Sequence, residues 1–190
     1  MAIYCIRHGQ SEFNAVFERG GDDPLVFDAP LSPRGREQAR GIRDQVASLG
    51  IERVVTSPLT RAIETALHIF DGGPPIEVDA RARELLTHSC DVGRSPAQLA
   101  AQFPVVEFDH LEDIWWHQGP ANEHGVAREP VPVFEARVAE FRNWLVAQPD
   151  RNMALIGHGN LFKALTGQKL ANCEIHLFDE TAQFEPGPYA

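Results

Sequence analysis

The feature that most constrains the fold is an alternation of short apolar segments with helical patterns in the first part of the chain. The apolar segments are rich in strand-forming residues and lie at 2–6, 53–56 and 76–78. Short apolar runs of this kind are typical of buried strands. Helical patterns fill 33–49 and 59–70, between successive apolar runs. A β-α-β-α-β order predicts an α/β fold, a three-layer α/β/α sandwich with a mostly parallel central sheet.

The alternation is interrupted once and then resumes. Residues 80–130 contain one helix signal, Ser95 followed by Pro96, and a Trp115-Trp116 pair, which we expect to anchor this segment on the core. We interpret 80–130 as a cap insertion over the carboxyl edge of the sheet, within a single domain of residues 1–190. The remaining predicted elements are a short helix at 11–19, helices at 133–147 and 161–165, and strands at 153–156 and 175–178.

Charge and composition exclude several classes of function. A formal net charge of -10 argues against binding to nucleic acid or to an anionic membrane, because both need a basic field. Three cysteines without a C-x-x-C pair imply no disulfide framework, and we expect Cys5 and Cys173 to be buried thiols. The chain contains no apolar run of about 18 residues and no signal-peptide pattern, so we expect a cytoplasmic protein without a membrane partner.

Basic side chains follow three of the predicted strands. Arg7-His8-Gly9 follows the first strand, Ser57 to Arg61 follows the second, and Gly157-His158-Gly159 follows the strand at 153–156. The carboxyl ends of parallel strands meet at one edge, so two histidines and two arginines are predicted to converge there. Guanidinium groups and imidazoles around one point suit a tetrahedral dianion such as a phosphoryl group.

The motifs at these strand ends resemble those of the histidine phosphatase superfamily, which has the phosphoglycerate mutase-like fold. The motifs that carry the resemblance are Arg7-His8-Gly9 with Asn14, Leu31-Ser32-Pro33-Arg34-Gly35 with Gln38-Ala39, Ser57-Pro58-Leu59-Thr60-Arg61-Ala62 with Thr65-Ala66, and Gly157-His158-Gly159. They occur in the order found in the family, and the resemblance extends from residue 2 to about residue 178.

The resemblance implies a role for each matching residue. His8 would be the nucleophile that forms a phosphohistidine, while Arg7, Arg61 and His158 would hold the phosphoryl oxygens. Asn14 would line the substrate phosphate site. A neutral imidazole is a competent nucleophile near neutral pH, provided that its second nitrogen donates to a backbone carbonyl that fixes the tautomer.

The family also uses a carboxylic acid after the third strand to protonate the leaving oxygen. Glu84, within Arg83-Glu84-Leu85, is at the matching place. Many members then carry a Gly-x-x-Glu-Gly-like run, whereas this chain has His88-Ser89-Cys90-Asp91-Val92-Gly93. The departure leaves Glu84 as the first candidate for the general acid and Asp91 as the second. Either residue would need a raised pKa, which a desolvated crevice can supply.

Other polar residues are assigned simpler roles. The remaining histidines are scattered without metal-ligand spacing, so we predict neither a metal nor a cofactor. Gln38, Arg34 and Thr65 are expected to support the site rather than contact the ligand. Arg137, on the predicted helix 133–147, is expected to be a solvated or paired surface residue.

Three functions follow from these residues, and one ranks first. The first is a metal-independent phosphatase that hydrolyses the phosphate monoester of a small molecule through a phosphohistidine. The second is a phosphoglycerate mutase-type phosphotransferase, which must shield the phosphohistidine from water. The third is a non-catalytic module that binds a phosphorylated ligand. A phosphatase of protein phosphohistidine is a further variant, which the predicted cap disfavours. The sequence indicates neither the ester nor the oligomeric state.

Overall fold

Four parallel strands and one antiparallel strand form the central sheet in the computed structural model, which describes residues 2–17, 21–148, 152–181 and 188–189. The strands are β1 (Ile3–Arg7), β2 (Arg53–Thr56), β3 (Ile76–Val78), β4 (Met153–Gly157) and β5 (Ile175–Leu177). Their spatial order is β3-β2-β4-β1-β5, and β5 runs antiparallel to β1. The predicted mostly parallel sheet is therefore confirmed.

The register of the parallel strands aligns their carboxyl ends. Arg7 of β1 lies opposite Gly157 of β4, and Thr56 of β2 lies opposite Ile156 of β4. The residues that follow these strands therefore emerge side by side at one edge of the sheet. This alignment places His8, Ser57 and His158 on neighbouring strand ends, as the sequence predicts.

Seven α-helices accompany the sheet. They are α1 (Glu12–Val16), α2 (Pro33–Gly41), α3 (Arg43–Ala47), α4 (Thr60–Phe70), α5 (Pro96–Gln102), α6 (Val131–Val146) and α7 (Gly159–Thr166), counted within the described residues. The single helix predicted at 33–49 is divided at Ile42, whose backbone leaves the helical region at φ -99° and ψ 2°. The predicted helix at 11–19 is α1, which ends at Val16, and residues 18–20 lie outside the described part.

Alternating side chains of the strands fill two separate cores. Cys5 of β1 and Leu155 of β4 pack with the apolar stripe of α6 and with α7. Ile6 and Ile156, the next residues along each strand, pack with α2, α3 and α4 on the opposite face. This two-sided packing confirms the predicted three-layer arrangement, because successive residues of a strand face opposite sides of the sheet.

The segment 80–130 packs a third apolar cluster against α4 and β3. Trp115 is buried there, and its indole nitrogen donates to the carbonyl of Arg94 at 2.8 Å. Its ring lies so close to Gly93 that a Cβ on that glycine would lie 2.2 Å from it. Both contacts lie within the segment, and the link to the body of the protein is the apolar cluster that Trp115 shares with Ile63 and Val78, as expected of an anchor. No helix among the described residues is long and apolar enough to cross a membrane.

Candidate active site

A cavity of about 180 Å³ opens at the aligned carboxyl ends of the strands. Its lining includes the predicted site residues Arg7, His8, Asn14, Arg61, Glu84 and Asp91. His158 is fully buried directly beside it, with its ring centroid 5.1 Å from that of His8. The structure therefore brings together the groups that the sequence placed on three separate strand ends.

His8 has a defined tautomer. Its Nδ1 lies 2.6 Å from the carbonyl oxygen of Gly9, and its Nε2 lies 3.3 Å from Nε of Arg61. A carbonyl oxygen can only accept, so Nδ1 carries the proton and Nε2 keeps its lone pair. Burial lowers the pKa of His8 well below its ordinary value, and the charges of Arg61 and Arg7 lower it further. The ring is therefore neutral near pH 7, with Nε2 as its nucleophilic atom.

Two glycines let the His8 loop approach the start of α2. A Cβ on Gly9 would lie 2.5 Å from the carbonyl oxygen of Gly35, and a Cβ on Gly35 would lie 2.0 Å from the carbonyl oxygen of Gln10. The amide of Gly9 donates to Oγ1 of Thr65 at 3.1 Å, and the amide of Gln10 donates to Oε1 of Gln38 at 2.9 Å. Thr65 and Gln38 thus support the loop, as expected, and neither belongs to the cavity lining.

The close approach gives a stability prediction. Gly35→Ala is expected to lower the free energy of unfolding by about 1–3 kcal/mol, because the added methyl group meets backbone atoms that cannot rotate away. Gly41→Ala is the matched control, since a Cβ there meets nothing within 4 Å. Thermal unfolding of both variants checks the prediction, at about 2–4 °C per kcal/mol. Equal melting temperatures for both variants would contradict it.

Arg61 is held by the segment 80–130. Its Nη1 donates to the carbonyl of Cys90 at 2.5 Å, and its Nη2 pairs with Oδ1 of Asp91 at 2.8 Å. The other carboxylate oxygen of Asp91 accepts from the amides of Thr87 and His88. Both side chains of the ion pair are almost fully buried. Asp91 is thus fixed as the ion-pair partner of Arg61, with both carboxylate oxygens engaged by donors.

His158 follows β4 and is the residue that caps the amino end of α7. Both of its ring nitrogens are buried and have no hydrogen-bond partner among the described residues. Burial lowers the pKa of His158 well below its ordinary value, with Arg61 as the next cause. Buried polar atoms are normally satisfied. Unpaired imidazole nitrogens beside His8 are consistent with contact to a ligand oxygen.

Glu84 occupies the amino end of α7. One carboxylate oxygen accepts from the amides of Leu85 and Leu161 at 2.9 and 3.1 Å, and the other accepts from the amide of Asn160 at 3.0 Å. Burial raises the pKa of Glu84, and the nearby charge of Asp91 raises it further. A carboxyl group with a raised pKa on the cavity wall can act as a proton donor.

Arg137 holds the backbone that carries Glu84. The side chain is only 8% exposed, so the expected surface position is wrong, although the side chain is paired. It donates to the carbonyls of Arg83 and Glu84 at 3.0 and 3.2 Å and pairs with Glu129 at 2.8 Å. Arg137 is one of the buried residues of α6 and lies three positions after Phe134, on the same side of the helix. Sequence reasoning missed it because its acceptors are backbone carbonyls of a distant segment.

Other lining residues were also missed. They are Ser11, Phe13, Phe17, Thr87, His88, Cys90, Gly159, Asn160, Lys163 and Lys169. Arg7, by contrast, was expected: it lines the cavity and donates from Nη1 to the carbonyl of Leu170 at 2.7 Å. Among the described residues, no group of three or more His, Cys, Asp or Glu side chains is placed to hold a metal ion.

Comparison with known proteins places this arrangement in a family. The model of the "Histidine phosphatase superfamily (branch 1)" matches residues 3–186. A "Glucosyl-3-phosphoglycerate phosphatase" of Mycolicibacterium vanbaalenii is 33% identical over 88% of this chain and 73% of its own length. A "Phosphoglycerate mutase-like protein 1" of Arabidopsis thaliana is 29% identical over 86% of this chain and 70% of its own length.

Solved structures agree with the sequence comparison. A mycobacterial glucosyl-3-phosphoglycerate phosphatase, solved in complex with VO3, superposes with a TM-score of 0.53 and 27% identity. The match covers 86% of this chain and 79% of that one. The match of the family model over nearly the whole chain and the shared fold lead to one conclusion: the protein belongs to the histidine phosphatase superfamily.

Proposed function

We propose that the protein is a metal-independent phosphatase that hydrolyses a phosphate monoester of a small molecule through a phosphohistidine on His8. The observation that carries the proposal is the state of His8: a buried, neutral ring whose proton is fixed on Nδ1 and whose Nε2 meets the cavity beside Arg61. A positioned neutral imidazole is a nucleophile at neutral pH. The names of the relatives include phosphatases of phosphorylated small molecules, which agrees with the proposal.

In the first step, Nε2 of His8 attacks phosphorus while the bond from phosphorus to the ester oxygen breaks. Glu84 gives its proton to that oxygen, so the alcohol leaves neutral and Glu84 becomes a carboxylate. The new charge on Glu84 is stabilised at once by the amides of Asn160 and Leu161 at the start of α7. Nδ1 of His8 keeps its proton and its hydrogen bond to Gly9 throughout.

In the second step, water attacks the phosphohistidine. Glu84 accepts a proton from the water, the bond from phosphorus to Nε2 breaks, and its electron pair returns to the ring. Inorganic phosphate leaves, and His8 is again neutral. The same carboxyl group thus acts as acid and then as base.

Arg7, Arg61 and His158 stabilise the charge on the transferring group, and Asn14 lines the pocket that receives it. Nε of Arg61 donates to Nε2 of His8 at 3.3 Å, so a phosphoryl oxygen arriving at Nε2 can replace that bond. Two guanidinium groups provide the electrostatic stabilisation that phosphoryl transfer requires. On this proposal, the protein needs no metal.

The test is release of inorganic phosphate from a panel of sugar phosphates, phosphoglycerates, nucleotides and phosphopeptides, with and without a chelator. We expect turnover of at least one small-molecule ester, with the same kcat/KM after extensive chelation, because the charge is supplied by arginines. Loss of turnover with the chelator, restored by a divalent cation, would contradict metal independence. Isomerisation of 3-phosphoglycerate without release of phosphate would instead support the second candidate function, a phosphotransferase. The similarity to a phosphoglycerate mutase-like protein is the reason to retain that candidate.

A further inference from the structure

The chain contains two lysines, and both line the cavity that holds His8. Fifteen of its seventeen basic residues are arginines, whereas Lys163 and Lys169 both belong to the cavity lining. Neither lysine is part of the proposed phosphoryl-transfer machinery. Their shared position at one cavity therefore requires a separate explanation.

The fold brings the two lysines to the cavity by different routes. Lys163 lies on α7, one helical turn beyond Gly159, which lines the same cavity. Gly167 then ends the helix with a left-handed backbone, at φ 71°, and the chain turns back toward the sheet. Leu170 is buried and its carbonyl accepts from Arg7, so the residue before it, Lys169, is held beside the cavity.

Neither lysine has a carboxylate partner among the residues that the structure describes, whereas Arg61 has Asp91 as its partner. The ammonium group of Lys163 donates instead to the carbonyl of Pro188, a neutral acceptor. Two unpaired cations in one cavity repel each other and favour an anion beyond the phosphoryl group.

Another part of the cavity lining is aromatic. Phe13 and Phe17 stack with ring centroids 4.9 Å apart, and His88 packs edge-on against Phe17 at 4.8 Å. This aromatic side favours the carbon skeleton of a ligand rather than a charge. The cavity lining thus includes two lysines, Lys163 and Lys169, and an aromatic group formed by Phe13, Phe17 and His88.

We propose that the substrate carries a second anionic group, a carboxylate or a second phosphate, and that Lys163 and Lys169 receive this group. The inference rests on the proposed phosphatase activity and narrows its substrate class. A phosphate ester without a second charge would bind through the phosphoryl group alone and leave both ammonium groups without a partner.

Three esters of one three-carbon skeleton test the inference. Glycerol 3-phosphate carries no second anion, 3-phosphoglycerate adds a carboxylate, and 2,3-bisphosphoglycerate adds a carboxylate and a second phosphate. We expect kcat/KM for phosphate release to be at least roughly tenfold higher for an ester with a second anion than for glycerol 3-phosphate, the size of one charge-assisted hydrogen bond. A preference for 3-phosphoglycerate identifies a carboxylate, and a preference for the bisphosphate alone identifies a phosphate.

Variants connect the preference to the two lysines. The double variant Lys163→Gln with Lys169→Gln is expected to bring the ratio of the two kcat/KM values to roughly one, because it removes both charges. Arg40→Gln is the matched control: it removes one positive charge from an exposed position on α2 outside the cavity and leaves the ratio unchanged. The ratio is independent of the fraction of folded enzyme, so a loss of stability cannot imitate the result.

The outcomes separate the inference from the function on which it rests. If wild-type protein releases no phosphate from any ester, the proposed function fails. If it hydrolyses glycerol 3-phosphate as well as the doubly anionic esters, the function stands and the inference is wrong. A preference that survives in the double lysine variant also overturns the inference, because another group would then be the source of selectivity.

Discussion

Replacing His8 with alanine is expected to reduce kcat/KM for any hydrolysed ester by roughly 10⁴-fold or more, since the substitution removes the nitrogen that forms the covalent intermediate. Wild-type enzyme quenched in acid or in base during turnover of a radiolabelled ester should retain a protein-bound label. A phosphorylated imidazole loses phosphate in acid and keeps it in base. The label should therefore be acid-labile and base-stable, and it should be absent from the His8→Ala protein.

His124→Ala is the matched control for this experiment. His124 is exposed, lies outside the cavity lining and pairs weakly with Glu123 at 3.5 Å, so its removal tests the general effect of losing a histidine. We expect wild-type kinetics and labelling for the control. Full turnover by His8→Ala, or labelling that persists without His8, would show that the reaction does not pass through this residue.

The second large effect is expected for Glu84→Gln, which keeps the shape of the side chain but cannot donate the proton. For an alkyl ester such as glycerol 3-phosphate, we expect kcat/KM to fall by about 10²–10⁴-fold. For p-nitrophenyl phosphate the fall should be much smaller, because nitrophenolate leaves without protonation. The comparison is made on kcat/KM, which reports the steps up to phosphorylation of His8.

The pH dependence follows from the directions of two pKa shifts. The reactive enzyme has neutral His8 and protonated Glu84, a combination that groups with ordinary pKa values would rarely hold together. Burial lowers the pKa of His8 and raises the pKa of Glu84, and both shifts increase the population of this form. Activity on the alkyl ester should therefore fall as pH decreases through the pKa of His8 and as pH increases through that of Glu84. Glu84→Gln should remove the alkaline fall.

Two further variants make the assignment specific. Glu123→Gln replaces an exposed glutamate outside the cavity lining and should leave the kinetics unchanged. Asp91→Asn removes the charged partner of Arg61, so we expect weaker binding of both esters to a similar extent. If Asp91→Asn, rather than Glu84→Gln, affects the alkyl ester selectively, Asp91 is the donor and the assignment of Glu84 is wrong.

Local sequence signals were sufficient to predict most of the sheet. β2 and β3 have the predicted bounds, and β4 extends one residue beyond its predicted end. β2 and β3 are short and rich in β-branched residues, and this local composition agrees with their position in the sheet. The helix predicted at 33–49 was wrong in one respect, because its apolar spacing continues across Ile42 although the backbone does not. The apolar spacing does not record the non-helical backbone of Ile42, which directly follows Gly41.

The site residues that come shortly after a strand in the sequence could be predicted. His8, Arg61 and His158 converge because parallel strands end at one edge, a rule of topology that the sequence pattern already contains. Lys163 and Arg137 lie on helices, where the face that meets the cavity depends on how the helix is rotated against the sheet. Arg137 binds backbone carbonyls more than 50 positions earlier, at Arg83 and Glu84, and no spacing rule connects them.

The hydrogen bonds and ion pair between segment 80–130 and Arg61 limit how the substrate selectivity of this enzyme could be changed. The same segment supplies His88 to the cavity wall and Cys90 and Asp91 to the guanidinium of Arg61. A loop exchange that redesigns the wall but discards Asp91 would leave a buried arginine charge beside His8 without its counter-ion. Chimeras that remain active should therefore retain residues 87–91 of this protein. Only the parts of segment 80–130 on either side of that stretch should be exchanged to change substrate selectivity.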